Sequence, residues 1–116
     1  VLSSSVKTPL AEMAISNGLR AGLAMVAKTL ANELGPHGIR VNSLMPGRIQ
    51  TDRVMELDAA TGDPVQAQRD AERLIPLGRY GQPAEFGRVA AFLLSPAASY
   101  VTGAALPIDG GMLQAL

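Results

Sequence analysis

A helical repeat of apolar residues dominates residues 15–34. The large apolar residues recur every three or four positions and therefore share one helix face: Leu19, Leu23, Val26, Leu30 and Leu34. Alanine and methionine cover other faces of the same helix. Because a helix that is apolar on several sides is usually buried on several sides, the pattern predicts packing against a sheet and against a second subunit.

The ends of this helix carry their own signals. Thr8 followed by Pro9 suits a helix start, with Thr8 as the N-cap, and Ser16 is a possible later start. The pair Gly35-Pro36 predicts the end, because glycine favours the position after the last turn and proline cannot continue a helix.

Two segments have the pattern of strands. They are residues 38–47 and residues 103–109, and residues 1–5 resemble the end of another strand. Pro107 cannot donate a ladder hydrogen bond, which predicts an edge or end position for the last strand. Two strands and a stub are few for an independent sheet.

Three further helices are predicted between these strands. A weak one covers residues 52–60. The sequence DPVQ, starting at Asp63, is a capping box before a polar helix over 64–74 that buries little. Pro83 opens an amphipathic helix that ends at Ser95. Helices that alternate with strands predict an α/β fold with parallel strands.

Composition and charge exclude several classes of protein. The chain has 116 residues, 47% of them hydrophobic, and its ten basic and ten acidic residues cancel, so clustered charge for nucleic acid or an anionic membrane is not expected. No apolar run reaches the roughly 18–20 residues of a membrane span. The first residues do not resemble a signal peptide, and the absence of cysteine excludes disulfides. We therefore expect a cytoplasmic protein.

Two polar residues interrupt the apolar helix near its start. Ser16 and Arg20 lie one turn apart and share a helix face. They are either part of a chemical site, or a capping residue and a surface side chain.

Two long stretches carry a family resemblance. They are LANELGPHGIRVNSLMPGRIQTDR and PLGRYGQPAEFGRVAAFLLSPAASYVTGAALPIDGG. Their motifs, in this order and at this spacing, resemble the C-terminal half of the short-chain dehydrogenase/reductase family. The similarity is closest to the 3-oxoacyl-carrier-protein-reductase-like branch, and it extends over almost the whole chain.

The resemblance implies an α/β fold: a partial Rossmann-type, doubly wound parallel sheet, with long helices packing on few strands. Residues 1–116 would be the C-terminal portion of such a domain. The family's glycine-rich dinucleotide loop follows its first strand. Gly18 and Gly22 lie inside the predicted long helix and cannot form that loop. We therefore expect about half of a family member, which alone binds dinucleotide poorly and is inactive.

The resemblance also implies candidate catalytic residues. The family uses a Ser at a strand end and a Tyr-x-x-x-Lys motif on the next helix. The Tyr position falls on Ser16 and the Lys position on Arg20. The Ser position falls among residues 3–5: Ser3, thirteen residues before Ser16, is the first choice and Ser4 the next.

These replacements change the chemistry. Tyrosine titrates at about 10, and a neighbouring cation lowers its pKa, whereas a serine hydroxyl is a far weaker proton donor. Arginine keeps the charge and can bind ribose hydroxyls, but it does not deprotonate. A catalytic parent would use water or another hydroxyl as the acid, slowly. The alternative is that Ser16 is a remnant or a structural residue.

The stretch NSLMPGRIQT resembles the family segment that holds the nicotinamide end of NAD or NADP. Pro46 and Gly47 would let the backbone approach the ring. Backbone groups near Ile49 would meet the carboxamide, and Thr51 would bind the carboxamide or pyrophosphate. Arg20 is a further cofactor candidate. The alternative is that Pro46-Gly47 only ends the strand.

Two functions stay open. The first is an NAD(P)-dependent oxidoreductase that reduces a small-molecule carbonyl substrate of the 3-oxoacyl type. The second is a non-catalytic member that uses the scaffold for assembly or ligand binding. Family members commonly pair through the long helix and through the last helix and strand, so we expect a homo-oligomer. His37 is expected in a solvated turn without a metal site, Tyr80 in a packing role, and Asp109 in the terminal turn.

Overall fold

A computed structural model describes residues 1–114. Within this range it contains the following helices and strands: α1 (Ala14–Leu34), β1 (Ser43–Pro46), α2 (Asp52–Ala59), α3 (Pro64–Arg73), α4 (Pro83–Leu94) and β2 (Ala105–Ile108). Short 3-10 helices cover Ser4–Val6, Gly35–His37 and Pro96–Ala98.

The two strands lie side by side and run parallel. Ser43 is opposite Ala105, and Met45 is opposite Pro107. β2 has β1 as its strand neighbour among the described residues, and its proline therefore lies on an edge strand, where the missing N–H is tolerated. The predicted α/β class with parallel strands is confirmed.

The first strand is shorter than the predicted 38–47. Side chains take part in the pairing before Ser43: the Val41 N–H donates to Thr102 Oγ1 at 3.0 Å, while the Val41 carbonyl accepts from the Gly103 N–H at 2.7 Å. The Asn42 amide donates to the Val101 carbonyl at 2.8 Å and accepts from the Ala104 N–H at 3.1 Å. Residues 41–42 therefore lie beside residues 101–104, just before β2, without forming regular strand pairs.

The predicted strand end at residues 1–5 is reduced to one backbone bond. The Leu2 N–H donates to the Leu44 carbonyl at 2.7 Å, and Leu2 is buried. The chain then turns into the 3-10 helix Ser4–Val6. Ser3 Oγ accepts from the Ser5 N–H at 3.2 Å and caps that turn, because serine competes well for nearby backbone donors.

Neither predicted start of the long helix is correct, since α1 begins at Ala14. The Asn17 side chain donates to the Leu10 carbonyl at 2.8 Å and accepts from the Leu10 N–H at 3.4 Å. Glu12 has a φ of 60°, a left-handed conformation that a right-handed helix cannot contain. These features hold the segment before Ala14 as a loop.

The other helices follow their sequence signals. The Asp63 carboxylate accepts from the Gln66 N–H at 3.0 Å and caps α3. The Gln66 side chain turns to Asp70 at 2.8 Å instead of completing the predicted box. In α4, the Glu85 carboxylate accepts from the Gln82 N–H at 2.7 Å, the reciprocal half of a capping box.

A small core lies between β1 and α4. Leu44, Leu93 and Ala98 form its centre, with Phe86, Val89, Ala90, Val101 and Ile108 packed against them. Met45 is fully buried. Arg40 ties the end of α4 to this region, since its guanidinium donates to the Leu93 carbonyl at 2.6 Å.

The apolar faces of α1 remain largely uncovered by the described residues. Ala31 is the buried residue of this helix, whereas Leu19 is 70% and Met25 69% exposed. The radius of gyration is 15.5 Å, compared with about 13 Å for a compact chain of this length. Residues 1–114 therefore do not supply the two-sided burial that the pattern predicts.

We expect Asn17→Ala to lower the free energy of unfolding by about 1 kcal/mol, because it removes the hydrogen bonds to Leu10. Asn32→Ala on the same helix is the control, since Asn32 is exposed and such changes stay within about 0.5 kcal/mol. Urea unfolding followed by circular dichroism measures both. Equal losses in the two variants would contradict the role given to Asn17.

Candidate functional site

The loop that follows β1 packs directly on the end of β2. The Gly47 N–H donates to the Ile108 carbonyl at 3.0 Å. A Cβ on Gly47 would lie 2.5 Å from Asp109 Cβ and 2.7 Å from Asp109 Cα. Only glycine permits this approach of two backbones, so Gly47 allows the ends of β1 and β2 to pack together.

Backbone pairing continues along this loop. Ile49 forms an isolated parallel bridge with Gly81. The Gln50 N–H donates to the Gly81 carbonyl at 2.8 Å, and the Gly81 N–H donates to the Arg48 carbonyl at 2.9 Å. Thr51 Oγ1 accepts from the Val54 N–H at 3.4 Å and caps α2. We call residues 46–51 the post-strand loop; it is fixed at both ends.

Arg20 lies against the first residues of the chain, next to the candidate Ser3. Arg20 Nη1 donates to the Val1 carbonyl at 2.9 Å and to the Leu2 carbonyl at 3.1 Å. This places the guanidinium against the peptide that joins Leu2 to Ser3. Ser16 is half-buried one turn before Arg20, and within residues 1–114 no protein group hydrogen-bonds its hydroxyl.

The first residues of the chain lie beside β1. Leu2 bonds Leu44, which lies two residues before Pro46. The residues around Ser3 and the post-strand loop therefore both lie next to β1. In the described part of the chain, no three potential metal ligands among His, Asp and Glu lie close together. His37 is exposed.

An open cavity of about 260 Å³ adjoins the Ser3 segment. Its lining comes from the segment before α1 and from the end of the described chain: Ser4, Thr8, Leu10, Met112, Leu113 and Gln114. Asp109 orders this last segment, as expected, because its carboxylate accepts from the Gly111 N–H at 2.9 Å and from the Leu113 N–H at 2.8 Å. Hydroxyl and apolar groups thus share one cavity beside the candidate serines.

Sequence reasoning missed a buried carboxylate. Asp58 in α2 is 6% exposed. It accepts from Arg48 Nη1 at 3.1 Å and from the Tyr80 hydroxyl at 2.8 Å, and the Arg48 guanidinium lies 6.0 Å from the Tyr80 ring centre. We call Arg48, Asp58 and Tyr80 the Asp58 cluster. Nothing in the residues around Asp58 distinguishes it from the exposed acidic residues of the same helix.

The Tyr80 side chain is buried and its hydroxyl is already hydrogen-bonded. Burial raises its pKa to about 12, and the hydrogen bond to Asp58 adds to this shift. A phenol that already donates to a carboxylate and resists deprotonation is poorly suited to general acid–base work near neutral pH. Its observed contacts agree with the expected packing role.

The sequence profile of the family described as Enoyl-(Acyl carrier protein) reductase matches residues 1–113. The chain belongs to the short-chain dehydrogenase/reductase family. The partial Rossmann-type sheet expected from the resemblance is confirmed, because solved members of the family share this arrangement of helices and parallel strands.

Curated relatives are similar over most of the chain. The 3-oxoacyl-(acyl-carrier-protein) reductase FabG of Pseudomonas aeruginosa is 44% identical over 93 residues, covering 80% of this chain and 35% of the relative. The 3beta-hydroxysteroid dehydrogenase 1 of Eggerthella lenta is 47% identical over 93 residues, covering 80% of this chain and 34% of the relative. The chain therefore spans about a third of these proteins.

Solved structures superpose closely. YwfH, an NADPH-dependent reductase of bacilysin biosynthesis, has a TM-score of 0.94 and 33% identity, covering 99% of this chain and 46% of that one. A short-chain oxidoreductase of Pseudomonas aeruginosa, solved with NADPH and containing an atypical catalytic centre, has a TM-score of 0.86 and 30% identity, covering 99% of this chain and 45% of that one.

Among the helices within residues 1–114, none has the length and apolar character needed to span a membrane.

The raised pKa of Tyr80 predicts a measurable titration. In Tyr100→Phe, Tyr80 is the remaining tyrosine of this chain, and its phenolate absorbance should rise with a midpoint near 12. Adding Asp58→Asn should move the midpoint towards the ordinary value, since the carboxylate partner is lost.

The same shift fixes a direction for stability. A tyrosine with a raised folded-state pKa contributes stability that is complete below its unfolded pKa of about 10 and is lost as the pH rises through the folded value. Urea unfolding of Tyr100→Phe across this range should show that loss. If Asp58→Asn leaves the phenolate titration midpoint of Tyr80 unchanged, that result would contradict the hydrogen bond between Tyr80 and Asp58.

Proposed function

We propose that this chain is the C-terminal portion of an NAD(P)-dependent oxidoreductase that reduces a small-molecule carbonyl compound. Residues 1–116 would then form the second part of one Rossmann-type domain. Support comes from the family membership and from relatives described as reductases or dehydrogenases. The main structural support is the conformation of the post-strand loop, in which Gly47 lies so close to Asp109 that no side chain fits.

The residues present fit the nicotinamide end of such a cofactor. Pro46, Gly47 and Ile49 place backbone close to the end of the sheet, and Thr51 is exposed next to them. Its hydroxyl accepts a capping hydrogen bond and still has its own proton to donate. In this proposal they hold the carboxamide, while Arg20 contacts the ribose through further guanidinium donors.

When bound, a reduced nicotinamide supplies a hydride for the carbonyl carbon. The chain's own residues orient the carbonyl and supply the proton that its oxygen needs. Ser3 would hydrogen-bond the oxygen, with Ser4 as the alternative because it lines the cavity. Ser16 would pass a proton from water, since its hydroxyl has no protein partner within the described residues and is too weak an acid to act directly.

Arg20 would act by charge. A guanidinium one turn from Ser16 stabilises negative charge that develops on the substrate oxygen, without exchanging a proton itself. One relative supports departures of this kind: the Pseudomonas aeruginosa oxidoreductase binds NADPH and is described as having an atypical catalytic centre.

The test is NAD(P)H oxidation by the complete polypeptide that carries these residues, with an acetoacetyl thioester and a panel of small ketones. We expect slow turnover, and Ser16→Ala and Arg20→Met should each lower kcat by about tenfold to a hundredfold. Ser99→Ala and Arg88→Met, at exposed positions of this chain, are the matched controls. Binding of NAD(P)H without turnover of any substrate would contradict the catalytic role. If the polypeptide neither binds nor oxidises NAD(P)H, the proposal as a whole is contradicted.

A second candidate function is non-catalytic assembly through the family scaffold. It is favoured by one observation, the exposed apolar face of α1, where Leu19 is 70% and Leu23 49% exposed. An apolar surface of this kind normally meets another protein surface, and Arg20 is already engaged by two carbonyl oxygens. This candidate requires no proton transfer by Ser16.

Both candidates predict a homo-oligomer that uses α1. Light scattering of the 116-residue chain should give a mass above that of one copy, 12.1 kDa. The double variant Leu19→Glu, Leu23→Glu should lower that mass, because it buries charge in the apolar contact. Asn32→Glu, at an exposed polar position of the same helix, should leave it unchanged. A wild-type chain that stays monomeric at all concentrations would exclude this assembly.

A further inference from the structure

A carboxylate is buried in a helix that is otherwise mostly exposed. In α2, Met55 is 55% and Leu57 44% exposed, whereas Asp58 is 6% exposed. Burying a carboxylate is unfavourable unless it is paired and hydrogen-bonded. The arrangement around Asp58 is therefore worth explaining, since an apolar residue would fill the same position at lower cost.

Each polar group of Asp58 contacts a different part of the chain. One carboxylate oxygen accepts from Arg48 in the post-strand loop, and the other accepts from Tyr80 before α4. Its main-chain carbonyl accepts from Thr61 Oγ1 at 2.7 Å, in the turn that leads to α3. Asp58 thus joins the post-strand loop to the segment before α4, and its carbonyl supports the turn that ends α2.

Two of these segments already pair with each other. The Gly81 N–H donates to the Arg48 carbonyl, and the Gln50 N–H donates to the Gly81 carbonyl. Thr51 caps the first turn of α2, and Asp58 fixes its last turn. The post-strand loop is therefore tied to α2 at both ends of that helix, and Asp58 completes the closed set of contacts.

We propose that Asp58 is a positioning residue: through Arg48 and Tyr80 it holds the post-strand loop in the geometry that the nicotinamide end of the cofactor requires. This inference rests on the proposed function for the identity of the ligand. The positioning itself concerns contacts within this chain and can be tested separately.

The chemistry of the side chain defines the informative variant. Asp58→Asn keeps the size of the side chain but removes its negative charge and replaces one acceptor oxygen by an N–H donor. The ion pair with Arg48 is lost, and the Tyr80 hydroxyl can no longer donate where it now does. Asp70→Asn is a matched control. Asp70 also accepts from one neutral donor and one arginine, Gln66 at 2.8 Å and Arg73 at 3.2 Å, but it lies on the exposed surface of α3.

The first measurement is amide hydrogen exchange in the complete polypeptide. Asp58→Asn should reduce the protection of the Gln50 and Gly81 amides by about tenfold, while the Ser43 amide, which donates to Ala104 in the sheet, keeps its protection. Asp70→Asn should leave all three unchanged. A general loss of stability would lower all of them together, and that result, or no change at all, would overturn the inference.

The second measurement is the KM and kcat for NAD(P)H. Asp58→Asn should raise KM by about tenfold and change kcat by less, because it loosens a binding loop and touches no proton-transfer group. Tyr80→Phe should act in the same direction, since it removes one of the two links. Altered exchange with an unchanged KM would overturn the cofactor part of the inference. If the wild type neither binds nor oxidises NAD(P)H, the proposed function fails, and the exchange data alone still decide the positioning role.

Discussion

The approach of two backbones at Gly47 is the constraint on which the candidate site depends. Because Gly47 has no Cβ, its backbone lies directly against Asp109 and the ends of β1 and β2 are in contact. Two segments continue from this contact. One is the post-strand loop, which continues to Gly81 and α2. The other is the terminal turn that Asp109 orders. A single small residue thereby links the candidate cofactor loop to the segment that lines the cavity beside Ser4.

The polar residues of this site fall into two classes. Arg40, Asn42 and Asp58 are engaged by several partners each and hold segments together. Ser16 is left without a protein partner in the described range, and Arg20 uses one nitrogen on two carbonyl oxygens. Groups with remaining hydrogen-bonding capacity can act on a ligand, which suits Ser16 and Arg20 to a chemical role, whereas Arg40, Asn42 and Asp58 hold the structure together.

The residues around the candidate site are held by many contacts, whereas the apolar faces of α1 are largely exposed. Its core is a small cluster around Leu44 and Leu93, whereas most large side chains of α1 face outward. Apolar area that remains in contact with water contributes nothing to stability. Additional protein on this face would therefore stabilise α1 and the Arg20 contact with the first residues, and this links assembly to the geometry of the candidate catalytic residues.

Local signals in the sequence determined much of the fold. The apolar repeat predicted α1, Asp63 with Pro64 predicted α3, and Pro83 predicted α4, since these features act over one or two turns. The family motifs pointed to the post-strand loop and to Ser16 and Arg20 as candidates. The start of α1 and the burial of Asp58 were decided by tertiary structure. Asn17 bonds Leu10 across a loop, and Asp58 meets residues 10 and 22 positions away; contacts between distant residues leave no periodic trace along the chain.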